Sequence, residues 1–106
     1  MARQQSVYKL RNHPERQFSV DALVERADGD GATIVAQVQE AGRQPFTYKV
    51  EFSGPFVETK KDFDDEMYLH TALSVVYSQI ESLRHVPTLL RVQAASGLVL
   101  TEPLPS

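Results

Sequence analysis

Three stretches of the chain alternate apolar with polar side chains, which is the period of a β-strand. The clearest covers 46–52, where four large apolar residues are separated by Thr, Lys and Glu, and 32–38 and 18–24 repeat the pattern. Because successive side chains of a strand point to opposite faces, each stretch offers one apolar face to a core. Gly-containing segments at 28–31 and 41–44 separate the stretches. The pattern therefore predicts two consecutive hairpins.

The segment around Val7, Tyr8 and Leu10 could add a fourth strand. Pro14 follows it closely, and proline lies in sheets only at edges or ends. We therefore place this segment at one edge of the predicted sheet.

Beyond Pro55 the apolar spacing changes from two residues to three and four. Apolar side chains between 67 and 83 follow this spacing, which is typical of an amphipathic helix. Asp64 is suited to cap the first turn, and Phe63 could then pack on Tyr68. The sequence predicts a helix from about 64 to 85, which ends before Pro87.

These elements predict an α+β fold: an antiparallel three- to four-stranded meander sheet followed by one long helix packed on its apolar face. Residues 88–100 are expected to be extended segments or a loop laid over the core. Two prolines and no periodicity in 101–106 predict a disordered tail. We expect 1–100 to form a single domain, since 106 residues provide enough buried surface for one core but not for two.

Composition narrows the function classes. The chain has 11 basic and 14 acidic residues, a net charge of -3 and no run of Lys or Arg, so we expect no nucleic-acid partner. It has no cysteine, which excludes disulfides and thiolate chemistry. The stretch 67–83 contains too many polar side chains for a bilayer, so we expect no membrane insertion. No apolar leader segment follows the N-terminus, and we expect a cytoplasmic protein.

The residues that could carry metal or catalytic chemistry have simpler explanations. Acids between 62 and 66 suit helix capping and the helix dipole. Residues 28–31 resemble the opening of a calcium loop, but Ala32 occupies the third ligand position, so we expect a turn. Glu66 and His70 share a helix face, yet two ligands are too few for zinc. No nucleophile elbow or phosphate-binding loop occurs. We expect no cofactor and no catalytic activity.

The polar face of the predicted helix is unusual because it is almost uncharged. Between Met67 and Leu83 the only charged residue is Glu81, whereas a solvent-facing helix normally carries Lys, Glu or Arg. We therefore predict an oligomer interface. The alternative is that residues 88–100 fold back over the same face. The predicted interface residues are His70, Ser74 and Ser78.

The aromatic residues suggest a second surface. Six of them cluster around the exit from the last predicted strand and the start of the helix, and one layer of helix does not obviously cover all six. Exposed apolar area of this kind often marks a binding surface. The predicted client-binding residues are Tyr48, Phe52, Phe56 and Tyr68.

Several features in order resemble the SecB-type export chaperone superfamily. These are the hairpins, then Phe52-x-Gly54-x-Phe56, a long connection, one long helix and Val86-Pro87-x-Leu89-Leu90. The resemblance covers about 18–95. It implies assembly through the sheets and the helix into dimers of dimers, and binding of unfolded clients in apolar grooves. Nothing after Leu100 could form the family's second long helix, so the chain resembles a reduced member.

The leading hypothesis is a non-catalytic, SecB-like homo-oligomer that binds apolar extended segments of other polypeptides. The alternative is a structural or assembly subunit, of a phage or of another multi-protein complex, with the helix face as a permanent interface. A small hydrolase or metal enzyme is the third hypothesis.

Overall fold

The computed structural model describes residues 2–26, 31–82 and 84–104. The described residues form one six-stranded sheet and two helices. In chain order the elements are β1 (Arg3–Lys9), β2 (Gln17–Glu25), β3 (Ala32–Glu40), β4 (Phe46–Phe52), α1 (Gly54–Thr59), α2 (Asp65–Glu81), β5 (Thr88–Val92) and β6 (Val99–Pro103).

The strands lie in the sheet in the order of the sequence. β1 to β4 form an antiparallel meander. The chain then passes through α1 and α2 and returns as β5, which is parallel to β4, as strands joined by a helical crossover are. β6 pairs antiparallel with β5. The sheet is therefore mixed, with β1 and β6 at its edges.

The predicted α+β class is confirmed, but the predicted number of elements is too small. β5 and β6 extend the sheet beyond four strands, the parallel pairing of β4 with β5 makes it mixed rather than antiparallel, and α1 precedes the long helix. Thr101 to Pro103 were expected in a disordered tail; they lie in β6, opposite Thr88 to Leu90 of β5. Residues 88–100 do not fold back over the helix, because most of them join the edge of the sheet.

The N-terminus of α2 is capped as the sequence predicts, whereas its C-terminus comes earlier than predicted. The Asp64 side chain accepts a hydrogen bond of 2.9 Å from the Met67 N–H, and the Phe63 and Tyr68 rings lie 5.2 Å apart, edge to face. Both expectations are confirmed. The C-terminus is earlier than the predicted residue 85, since the helix ends at Glu81 and Ser82 is its cap.

The core lies between the helices and one face of the sheet. Alternate residues of β2, β3 and β4 point into it, which is the reason for their clear period of two. α2 covers this face with its apolar side: Leu69, Ala72, Leu73, Val76 and Ile80 are all buried. The predicted turn at 28–31 lies outside the described residues except for Gly31, and Leu83 lies outside them too.

Candidate functional site

The outer face of α2 remains open to solvent. His70, Ser74 and Ser78 are exposed. Met67 continues the row toward the N-terminus of the helix, and its side chain is 46% exposed. These four residues are called the α2 outer face below. Its members are small or uncharged, which is the feature that the sequence predicted.

A groove runs between this face and the edge strand β1. It encloses about 450 Å³ and is lined by Tyr8, Arg11, Ser74, Tyr77, Ser78 and Glu81. Two of the predicted interface residues therefore form one wall of a real depression. We call it the β1–α2 groove.

Two of the lining residues of the groove are tyrosines that contact each other. The rings of Tyr8 and Tyr77 stack 4.8 Å apart with an interplanar angle of 17°. The Tyr77 hydroxyl is 2.7 Å from the Ser6 hydroxyl, so these two groups share a hydrogen bond. Stacked and hydrogen-bonded rings cannot turn freely, and the groove is therefore preformed.

Glu81 is held at one end of the groove. The Tyr8 hydroxyl donates to its carboxylate, and the Arg11 backbone N–H donates to the same oxygen at 3.1 Å. These hydrogen bonds, the one from Tyr8 foremost, hold the pKa of Glu81 below its usual range. Burial, and then the neighbouring carboxylate, raise the pKa of Tyr8. The carboxylate is therefore ionised and already partnered near neutral pH.

The sequence did not single out Tyr8 and Tyr77 as site residues. Gln4, Ser6 and Tyr8 alternate along β1, which indicates that they share a face. That signal gives no information about Tyr77, because the stacked rings belong to elements far apart in the chain.

The four predicted client-binding residues do not form an exposed surface. Tyr48, Phe52, Phe56 and Tyr68 are all buried in the core. The Phe52 ring contacts the Phe56 and Tyr68 rings at 5.2 and 5.1 Å. The Tyr48 hydroxyl donates to the Arg84 carbonyl at 3.0 Å. The expected exposed aromatic patch is therefore wrong, because α1 and α2 together cover these side chains.

Within the described ranges, no group of three or more His, Asp or Glu side chains is placed to hold a metal ion. His70, the ligand candidate of the sequence, is exposed on α2. No helix in the part of the chain that the structure describes is long and apolar enough to cross a membrane.

No protein-family model, curated protein or solved structure matches this chain.

Proposed function

We propose that the chain is a non-catalytic assembly subunit that associates with a second copy of itself through the α2 outer face. The observation that carries this proposal is that exposed positions of α2 from Met67 to Ser78 have no carboxylate, Lys or Arg. An exposed helix face is ordinarily charged.

The size and the charge of the side chains on this face favour a copy of the same helix as the partner. Serine side chains are small, so a second helix can approach closely and bury Met67 in the contact. The face contains no Lys, Arg, Asp or Glu, so two copies can meet there without repulsion between like charges. Covering this face leaves little charge to desolvate, which is the usual cost of burying polar surface.

Cross-linking tests the proposal directly, because the chain contains no cysteine. Ser74→Cys places a single thiol at the centre of the face. We expect a short bis-maleimide to convert this variant to a covalent dimer at low protein concentration. Ser19→Cys is the matched control, since Ser19 is exposed on β2, on the sheet face opposite α2. Equal yields from the two variants, or no dimer from either, would contradict the proposal.

A second candidate function is binding of extended polypeptides, as the resemblance to SecB-type chaperones implies. One observation favours it: within the described residues β1 pairs only with β2, so its outer edge is free to accept another strand. The β1–α2 groove lies beside this edge and could receive side chains of the added strand. The other edge, β6, is shorter and contains Pro103, which has no N–H to donate.

Hydrogen exchange in the presence of an unfolded reporter protein tests this candidate. Strand addition is expected to protect amides of 3–9 and to leave those of 99–102 unchanged, while aggregation of the reporter is suppressed at stoichiometric ratios. Suppression without protection of 3–9 would place the client elsewhere. A reporter that aggregates at its normal rate would leave assembly as the remaining function.

A further inference from the structure

A second cavity opens at the end of the sheet where β3 passes into β4. It encloses about 540 Å³. The side chains that give it its chemistry are Arg16, Phe18, Glu40, Arg43, Phe46 and His85. We call it the β3–β4 cavity.

One wall of the cavity is aromatic and rigid. The His85 ring lies 4.8 Å from the Phe18 ring and 5.8 Å from the Phe46 ring, and it is nearly parallel to the latter. Its Nε2 is 3.0 Å from the Ile80 carbonyl, which only accepts, so Nε2 carries a hydrogen. This wall can contact a flat or apolar group without rearranging.

The charges of Arg16 and Glu40 satisfy each other. Arg16 donates from Nε and from its terminal nitrogen to the two carboxylate oxygens, at 2.7 and 2.8 Å. This paired geometry is the strongest that a guanidinium makes with a carboxylate. It holds the pKa of Glu40 below its usual range, so the carboxylate is ionised and both its oxygens are occupied.

Arg43 adds a second positive charge beside the single carboxylate of Glu40. Its Nε is 3.6 Å from Glu40 Oε1, which is an ion-pair distance but beyond hydrogen-bond length. Among the described residues its guanidinium makes no hydrogen bond, and its side chain is 75% exposed. Its backbone is fixed nonetheless, because its N–H donates to the Glu40 carbonyl and its carbonyl accepts from the Gln39 side chain, both at 3.0 Å.

We propose that the β3–β4 cavity binds a small organic carboxylate that carries an aromatic or apolar group. Arg43 supplies a two-pronged donor for the carboxylate. The His85 and Phe46 rings contact the apolar part. Arg16 and Arg43 together leave one net positive charge beside Glu40, so a monocarboxylate fits better than a polyphosphate. This site shares none of its residues with the α2 outer face, and each proposal can fail without the other.

The test is a ¹H–¹⁵N NMR titration with 3-phenylpropionate as the probe. We expect saturable shifts of the amides around 40–46 and of His85, with a dissociation constant in the millimolar range or below. Arg43→Gln removes a charge-assisted hydrogen bond and is expected to weaken binding about tenfold. Lys61→Gln removes an exposed charge that follows α1, beyond the far end of β4, and should bind as the wild type does.

The neutral 3-phenylpropionamide separates charge recognition from simple apolar contact. It is expected to bind about tenfold more weakly than the carboxylate, and equally to the wild type and to Arg43→Gln. Equal affinity of the two probes for the wild type would overturn the proposal. So would an unchanged affinity in Arg43→Gln with its wild-type spectrum otherwise retained, or no saturable shift at tens of millimolar probe.

Discussion

The buried hydroxyl of Tyr48 predicts how the stability of the protein changes with pH. Its side chain is buried, and its hydroxyl donates to the Arg84 carbonyl at 3.0 Å. Burial raises the pKa of this hydroxyl from the ordinary value of 10.0 to about 12. The ionised form is therefore disfavoured in the folded state but not in the unfolded chain. Tyr48→Phe removes the ionisable group and leaves the ring in the core.

The sign of the effect follows from these two pKa values. The contribution of Tyr48 is fully present below pH 10 and is lost as the pH rises toward 12, because the unfolded chain ionises first. At about pH 11 the unfolded state gains about 1.4 kcal/mol from ionisation that the folded state does not gain. Near neutral pH the hydroxyl adds about 1 kcal/mol through its hydrogen bond. The wild type should therefore be the more stable protein at pH 8 and lose this advantage by about pH 11.

Urea unfolding followed by circular dichroism at pH 8, 9, 10 and 11 measures this difference. Other groups also titrate above pH 9, and the comparison with Tyr48→Phe cancels their contribution. Tyr8→Phe is a useful second variant, since burial raises the pKa of Tyr8 as well but its hydroxyl bonds a carboxylate. If the difference in the free energy of unfolding between the wild type and Tyr48→Phe stayed constant from pH 8 to 11, the Tyr48 hydroxyl would not be buried and neutral in the way described.

Three further predictions concern the helices. Gly54→Val should lower the free energy of unfolding by roughly 1 to 3 kcal/mol, because φ at Gly54 is +59°, where valine is strained; an unchanged melting temperature would contradict this. Asp64→Ala removes the oxygen that accepts from the Met67 N–H, and should cost about 1 kcal/mol in urea titrations, with no change as the opposing result. Glu81→Gln should flatten the acid side of the stability curve, because the pKa of Glu81 is lowered in the folded state. Its contribution is fully present above the pKa of the unfolded chain and is lost as the pH falls through the lower pKa of the folded state. Parallel acid curves for the wild type and Glu81→Gln would show that the bond from Tyr8 does not stabilise the carboxylate.

The central strands could be predicted from the sequence because each buries only one face. The stretch 46–52 coincides with β4, and the stretches 32–38 and 18–24 fall within β3 and β2. β5 could not be found in this way, because both Leu89 and Leu90 are buried and the alternation is lost. An edge strand with exposed apolar side chains, such as β6, gives no usable pattern either.

The candidate site was predictable on one side only. An uncharged helix face is a local feature of the sequence, and in the structure His70, Ser74 and Ser78 lie exposed on α2. The opposite wall of the groove depends on where β1 meets α2, and no local spacing contains that information. The exposed aromatic patch was wrong for a related reason: α1 was not recognised, and it contributes buried Phe56 to the layer that covers the sheet.

The most direct test of the account is the mass of the protein in solution, measured by light scattering over a range of micromolar concentrations. We expect the wild type to exceed the monomer mass of 11.9 kDa. Ser78→Glu should be a folded monomer, because an unpaired charge buried at the interface costs several kcal/mol. Ser19→Glu, on the opposite face of the sheet, should keep the wild-type mass. A wild type that remains at 11.9 kDa throughout would contradict assembly through α2.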